Sequence, residues 1–251
     1  MNKIAISIFV PVYNEIDFIF RNIEFLCNYL KKNKNLEKLN STYEIIIVDD
    51  NSNDGTFNEI KKLEQKYKYI KGLHYKSGPS RRENLAHSLR EAKYDYILFM
   101  DSDLATDINA LPRLIDELKT YPIVIGSRYM KNSKIRRKLS RKIISYFYNG
   151  LIRVLFNSKI LDHQCGFKGF HKKTLLNLVE EMGYDNTLKR GWFWDAELLI
   201  RAQKKGINIK EIPVIWKFGE KSSFSIRREI RVIDYMLRLF FKLKKLGSSL
   251  S

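Results

Sequence analysis

At 251 residues with 44% hydrophobic side chains, the chain can bury a full core as one large domain. Two cysteines, Cys27 and Cys165, are too few for a disulfide framework or a thiolate zinc site. The net charge of +18 sits in one half: of the 46 Lys/Arg and 28 Asp/Glu, residues 1–117 hold 17 and 18, leaving 29 and 10 for residues 118–251. The second half therefore faces something anionic, whether nucleic acid, an acidic membrane surface or a phosphorylated substrate.

The N-terminus runs straight into an apolar pattern with no signal-peptide architecture, and no stretch approaches the ~18 apolar residues of a spanning helix. A reducing cytosolic setting is expected. Residues 4–10 predict a buried strand stopped by Pro11. Asp17 is expected to cap a helix with Phe18, Ile19, Ile23, Leu26 and Leu30 at helical spacing. A Lys/Asn-rich loop leads to a second buried strand over 44–48, ending in Asp49-Asp50. Asn51 to Thr56 is turn chemistry that opens another helix. A short strand is expected over 70–75, and Ser80 and Glu83 have capping-box spacing for a helix to residue 93.

Tyr96-Ile97-Leu98-Phe99-Met100 then predicts a strand buried on both faces, ending in Asp101-Ser102-Asp103. A helix over 108–119 and a strand over 123–125 complete the alternation. Strand–helix alternation with buried strands predicts an α/β fold with a doubly wound parallel sheet and ligands at the carboxyl ends of its strands. Side chains alternate along a strand, so Asp101 and Asp103 point to one side. Such a pair suits a hard divalent ion shared with substrate phosphates, the alternative being a solvated turn. No glycine-rich dinucleotide fingerprint or P-loop is present, so phosphates fall to metal and basic side chains. The four histidines show no metal-ligand spacing, and no Ser-His-Asp arrangement is visible.

Pro11-Val12-Tyr13-Asn14-Glu15, the stretch from Val48 to Thr56, and Asp101-Ser102-Asp103-Leu104-Ala105-Thr106 together resemble the family-2 glycosyltransferases of the GT-A fold. Within that family they resemble the dolichyl-phosphate mannosyl- and glucosyltransferases. Gly126-Ser127-Arg128-Tyr129, the block from Asp162 to Phe170, Trp192 to Glu197, and Glu211 to Val214 resemble later blocks of the glucosyltransferase-like branch. The likeness covers about residues 4–224. One departure is the segment from Lys76 to Arg82, which lacks the family's Gly-Lys-Gly pattern.

The resemblance implies a single GT-A domain with a mostly parallel sheet over 1–225, with amphipathic interface helices inserted at 134–159 and a basic amphipathic C-terminal helix over 226–251. It implies that Pro11, Tyr13, Glu15, Val48, Asp50 and Ser102 line the nucleotide, and that Asp101 and Asp103 hold Mg2+ or Mn2+ against the donor diphosphate. Asp103, Asp162 and Arg128 would carry catalysis, Arg128 taking phosphate charge. A phosphate monoester is already ionised at neutral pH, its second pKa being about 6, so positioning is favoured over proton abstraction for Asp162. Trp194 and Asp195 would meet the sugar, with core packing expected of at least one of Trp192 and Trp194. Arg141, Lys168 and Lys221 would hold the lipid phosphate.

The implied reaction is an inverting, metal-dependent transfer of one hexose from a nucleotide sugar to a polyprenyl or dolichyl phosphate at the cytoplasmic membrane face. UDP-glucose is the first choice of donor and GDP-mannose the nearest alternative. A second enzyme reading transfers sugar to a saccharide acceptor, and a non-enzymatic reading is a basic protein docking on membranes or RNA. No acidic residue occurs between Glu117 and Asp162, a window expected to hold a pair of short basic, aromatic helices. The stripe Ile226, Ile230, Ile233, Leu237 and Phe240 repeats the theme near the C-terminus. Basic amphipathic helices of this kind lie on anionic lipid surfaces. Nucleic acid is disfavoured as the partner, because no recognised motif for it is present and the sheet rim is acidic.

Overall fold

In the computed structural model, which describes residues 4–34, 36, 42–80, 82–136, 139–185, 187, 190–217 and 226–248, the apolar runs become strands covered on both faces. Along β1 (Ala5–Val12), Ile6, Ile8 and Val10 enter one core and Phe9 the other. In β2 (Thr42–Asp49), Ile45 and Ile47 oppose Ile46 and Val48 in the same way. With β3 (Ile70–His74), β4 (Tyr96–Phe99), β5 (Ile123–Ser127), β7 (Lys168–His171) and β8 (Ile209–Pro213), they form a seven-stranded sheet ordered β3-β2-β1-β4-β7-β5-β8. The short strands β6 (Lys134–Ile135) and β9 (Ile215–Trp216) pair separately, in parallel.

One face of the sheet is covered by α1 (Ile19–Lys32), α2 (Thr56–Lys66) and α4 (Leu111–Glu117). The other is covered by α3 (Glu83–Ser88), α6 (Lys172–Met182) and α7 (Trp194–Lys204). The chain runs outward from β1 through β2 to β3, then crosses to β4 on the other side of β1. That reversal opens a crevice at the carboxyl ends of β1 and β4, where α/β sheets bind ligands.

The sheet departs from the all-parallel expectation at one strand. β7 runs antiparallel to both β4 and β5, with Lys168 opposite Phe99 and Ile125. The reason lies in the connection. The chain leaves β5 at the carboxyl rim, builds β6 and α5 (Leu139–Phe156), and re-enters the sheet from that same rim. Gln164, Cys165 and Gly166 are thereby delivered to the crevice.

Three local expectations are corrected. α1 begins after Phe18 without a side-chain cap, the Phe18 and Ile19 amides bonding to the Glu15 carbonyl, so Asp17 does not cap it. The capping box at Ser80 does not close, because Glu83 turns instead toward Arg190, 3.6 Å away. The expected pair of short helices is one helix of 18 residues, α5, which runs through Gly150.

The C-terminal helix α8 (Ile226–Ser248) packs on the core through a stripe other than the one expected to face lipid. Val232, Met236, Leu239 and Leu243 pack against Ile152 and Phe156 of α5 and against Phe193, Ala196 and Ile200. Ile233 and Leu237 are exposed, and the side chains of Ile226 and Ile230 lie outside the described residues. The rotation is set by Tyr235, whose hydroxyl donates to buried Glu197 at 2.7 Å. Among the described residues no helix is long and apolar enough to cross a membrane.

Candidate active site

The first wall of the crevice is a turn-on-turn lattice. The amides of Asn14 and Glu15 donate to Ser52 Oγ and Thr56 Oγ1, each at 2.8 Å, and Asn14 Oδ1 accepts from the Asn53 amide at 2.9 Å. This fixes the loop after β1 and leaves the Tyr13 ring exposed at the rim, with Pro11 half-buried beside it. Val48 does not line the crevice. Its side chain lies in the core on the α3 side of the sheet.

Asp50 is also committed to the protein. Its carboxylate accepts from the Ser80 amide and hydroxyl, both at 2.7 Å, and from Asn84 Nδ2 at 2.5 Å. Gly78 passes so close that a Cβ there would lie 2.5 Å from the Asp50 carbonyl oxygen. The expected ribose acceptor therefore anchors the segment before α3. The neighbouring Asp49 holds His74 Nδ1 at 2.6 Å.

The acidic pair follows β4 in a tight turn, with Leu104 at φ 49° and its amide bonded to the Asp101 carbonyl. Asp103 Oδ1 accepts from the Ala105 amide at 2.9 Å. Ser102 is buried, and its carbonyl is held by Asn22 Nδ2 at 3.0 Å. The Asp101 carboxylate, 38% exposed, lies against the backbone of Gly166, where a Cβ would be 2.0 Å from Oδ2.

Behind Asp101 stands a chain of buried charges. Arg82 Nη2 is 3.6 Å from Asp101 Oδ1, and Arg82 Nε donates to Asp195 Oδ2 at 3.0 Å. The other Asp195 oxygen accepts from Lys168 Nζ at 2.9 Å, and the same ammonium bonds to the Cys165 carbonyl. Burial alone would raise the Asp195 carboxyl, but the charges of Arg82 and Lys168 outweigh it and hold it below the usual carboxylate range. Lys168 and Asp195, expected to meet lipid phosphate and sugar, are thus buried and engaged with each other. Trp194 is core too, in contact range of Phe99, whereas the partly exposed Trp192 covers Arg82 at 5.8 Å.

A second buried pair closes the other side. Arg128 donates to Asp162 through Nε at 2.7 Å, Nη2 at 2.8 Å and its own amide at 2.9 Å, while the Gln164 amide takes Asp162 Oδ1 at 3.2 Å. Burial opposes ionisation of Asp162, but Arg128 more than compensates and lowers its pKa. Both Asp162 oxygens are thus shared, and the carboxylate holds Arg128. Breaking so enclosed a pair typically costs about 3–5 kcal/mol. The Arg128 guanidinium sits between the rings of Tyr129 and Trp216, at 5.7 and 5.8 Å. The Arg141 side chain and Lys221 lie outside the described residues.

The structure thus brings Tyr13, Asp101, Asp103 and Arg128 to one rim and withdraws Val48, Lys168 and Trp194 from it. Sequence reasoning gave Arg82 no role, placing it only in a helix cap and in the segment that departs from the family pattern. Nothing in Ser80-Arg81-Arg82-Glu83 separates Arg82 from its neighbour. Among the described residues no group of three or more His, Cys, Asp or Glu could hold a metal. Two carboxylates nevertheless fit a hard divalent ion that completes its shell with substrate phosphate oxygens and water.

A mostly parallel sheet with an acidic pair at its switch point defines a GT-A-type glycosyltransferase architecture. The family model for glycosyl transferase family 2 matches residues 7–178, and the chain belongs to that family. Dolichyl-phosphate beta-glucosyltransferase of Saccharomyces cerevisiae is 30% identical over 244 residues, covering 89% of this chain and 70% of that protein. Glycosyltransferase AglD of Haloferax volcanii is 30% identical over 229 residues and 90% of this chain, which spans only 35% of that relative's length. In fold the chain is similar to glucosyl-3-phosphoglycerate synthase of Mycobacterium tuberculosis in complex with UDP. That likeness has a TM-score of 0.65 at 16% identity, over 94% of this chain and 80% of that one. The same synthase in complex with Mn2+ and UDP-glucose gives 0.61 at 16% identity, over 89% and 73%.

Next to Asp162, His163 is buried between Asn149 Oδ1 on Nδ1 and Ser158 Oγ on Nε2, both at 2.9 Å. Burial lowers its pKa to about 4. The unfolded chain protonates this group near 6.5. The unfolded state therefore holds more protons between those values, and stability is lost as pH falls from about 6.5 to 4, by roughly 3 kcal/mol for this group. His163→Gln is expected to flatten the stability–pH curve in that window in urea titrations. An unchanged slope would count against the buried neutral imidazole.

Proposed function

We propose that this chain transfers glucose from UDP-glucose to dolichyl phosphate or a related polyprenyl phosphate, with inversion at the sugar. The observation that carries this is the Asp101–Asp103 pair at the switch point between β1 and β4, in a chain whose relatives include several named dolichyl-phosphate beta-glucosyltransferase. Asp101 and Asp103 would hold Mg2+ or Mn2+, which when bound neutralises the departing nucleoside diphosphate. The solved synthase with Mn2+ and UDP-glucose supports this choice of donor and ion.

The remaining work falls to the chain itself. Pro11 and Tyr13 flank the base, with Tyr13 offering an exposed face for stacking. Asp162 keeps the Arg128 guanidinium turned into the rim, where it meets anionic phosphate. An acceptor phosphate oxygen, ionised at neutral pH, attacks the anomeric carbon in line. The bond from that carbon to the nucleoside diphosphate breaks as the new carbon–oxygen bond forms, and no side chain has to remove a proton.

The lipid acceptor requires attachment to a membrane. Ile143, Phe147 and Val154 on α5 are exposed, as are Ile233, Leu237 and Phe241 on α8, and the stretch that contains α5 has no acidic residue between Glu117 and Asp162. Apolar residues set among exposed cations such as Lys242 and Lys244 suit peripheral binding to the anionic cytoplasmic leaflet, each basic residue adding about 1 kcal/mol.

The direct test incubates the protein and Mn2+ with UDP-glucose or GDP-mannose and dolichyl phosphate, followed by extraction of lipid-linked sugar. Glucosyl lipid is expected from UDP-glucose alone, with at least ~100-fold loss in Asp103→Ala. Product from GDP-mannose alone, or an active Asp103→Ala, would contradict the reading. For the membrane surface, the protein is expected to float with vesicles rich in phosphatidylserine and to stay behind with neutral ones. Phe147→Ser combined with Phe241→Ser is expected to reduce flotation about tenfold, since it removes two inserted rings. Flotation indifferent to lipid charge and to these residues would rule that surface out.

A further inference from the structure

We propose that Arg82 is a positioning residue of the donor site, which holds Asp101 in the attitude in which the acidic pair receives a divalent cation together with the donor diphosphate. This rests on the function proposed above and adds to it a residue to which the sequence reading gave no role.

Lys168, Asp195, Arg82 and Asp101 alternate in sign, each within ion-pair distance of the next. The side chains of the first three are at most 5% exposed, and only Asp101 is open, at 38%. An ion network serving stability alone has no reason to end at the rim. This one ends on the carboxylate expected to meet the ion.

The contact itself has the right strength for positioning. At 3.6 Å, Arg82 Nη2 attracts Asp101 without a hydrogen bond, so the carboxylate is steered but its oxygens are not consumed. Gly166 also lies close to this carboxyl group, since a Cβ there would overlap it. Asp101 is therefore neighboured by both a backbone and a guanidinium. Arg82 in turn is fixed from three directions, by Asp195 on Nε, by the Trp192 ring, and by its own backbone at φ 103°, a conformation side-chain-bearing residues rarely take.

Arginine is required by this geometry. One edge of the planar fork binds Asp195 while the other reaches Asp101, and a lysine ammonium cannot span both. Because Arg82 is cationic, it does not favour a bare divalent ion. It favours the ion only with the anionic diphosphate, which makes cation and nucleotide bind as a unit.

The test is calorimetric titration of UDP into the full chain with and without Mn2+, for wild type, Arg82→Lys, Asp101→Asn and the double variant, with thermal melting of each free protein. Arg82→Lys is expected to weaken UDP binding about 10–100-fold in Mn2+, the range for residues that orient metal ligands. It is expected to change little without Mn2+. The double variant is expected to bind no more weakly than Asp101→Asn, because Arg82 acts through Asp101. Wild-type affinity in Arg82→Lys, or a full Arg82→Lys effect persisting in the Asp101→Asn background, would overturn the proposal. Should Arg82→Lys fail to fold, Asp195→Asn releases the same guanidinium and carries the same expectations. A wild-type chain that binds no UDP with Mn2+ would instead remove the donor reading beneath it.

Discussion

The rim of this protein depends on burying charges in alternating order. Asp195 is enclosed between Arg82 and Lys168, and it ties a loop before α3, the start of β7 and the start of α7 to one point. Such a network is costly to desolvate, and it holds only because each ion is flanked by its opposite. Removing any one member would leave an uncompensated charge under the acidic pair. The arrangement therefore specifies geometry at the donor site more than it adds stability.

The same logic appears twice more around the crevice. Arg128 and Asp162 lock the turn after β5 to the turn before β7, and Arg190 and Arg201 meet Glu197 beneath α8. The antiparallel insertion of β7 makes the first two possible. By entering the sheet from the carboxyl rim, it carries Asp162, Gly166 and Lys168 past β4 within a few residues of each other. Residues 1–117 thus build β1 to β4, the acidic pair and Arg82, and residues 118–251 add β5, β7 and β8, the cations Lys168 and Arg128 beside the rim, and the two outer helices.

Much of this was legible in the sequence. The buried strands, the acidic pair and the ordered motifs after β1, β2 and β4 follow from apolar runs ending in polar turn residues. What was not legible depends on pairs far apart in the chain. Asp50 looked like a nucleotide contact because nothing local shows that Ser80 and Asn84 will reach it. Lys168 looked available for phosphate because its partner, Asp195, is 27 residues away. The face by which α8 packs on the core was not legible because Tyr235, a polar-tipped residue, is seated against Glu197, 38 residues away. Hydrophobic spacing alone cannot register that.

The central claim is that the Asp101–Asp103 pair, backed by Arg82, is where a divalent ion meets the donor diphosphate. Anomalous diffraction from crystals grown with Mn2+ and UDP-glucose tests it most directly. The account expects a manganese peak between these two carboxylates and the diphosphate, with the Arg82–Asp195 contact intact. Manganese bound elsewhere, or a diphosphate seated away from Asp101, would contradict it.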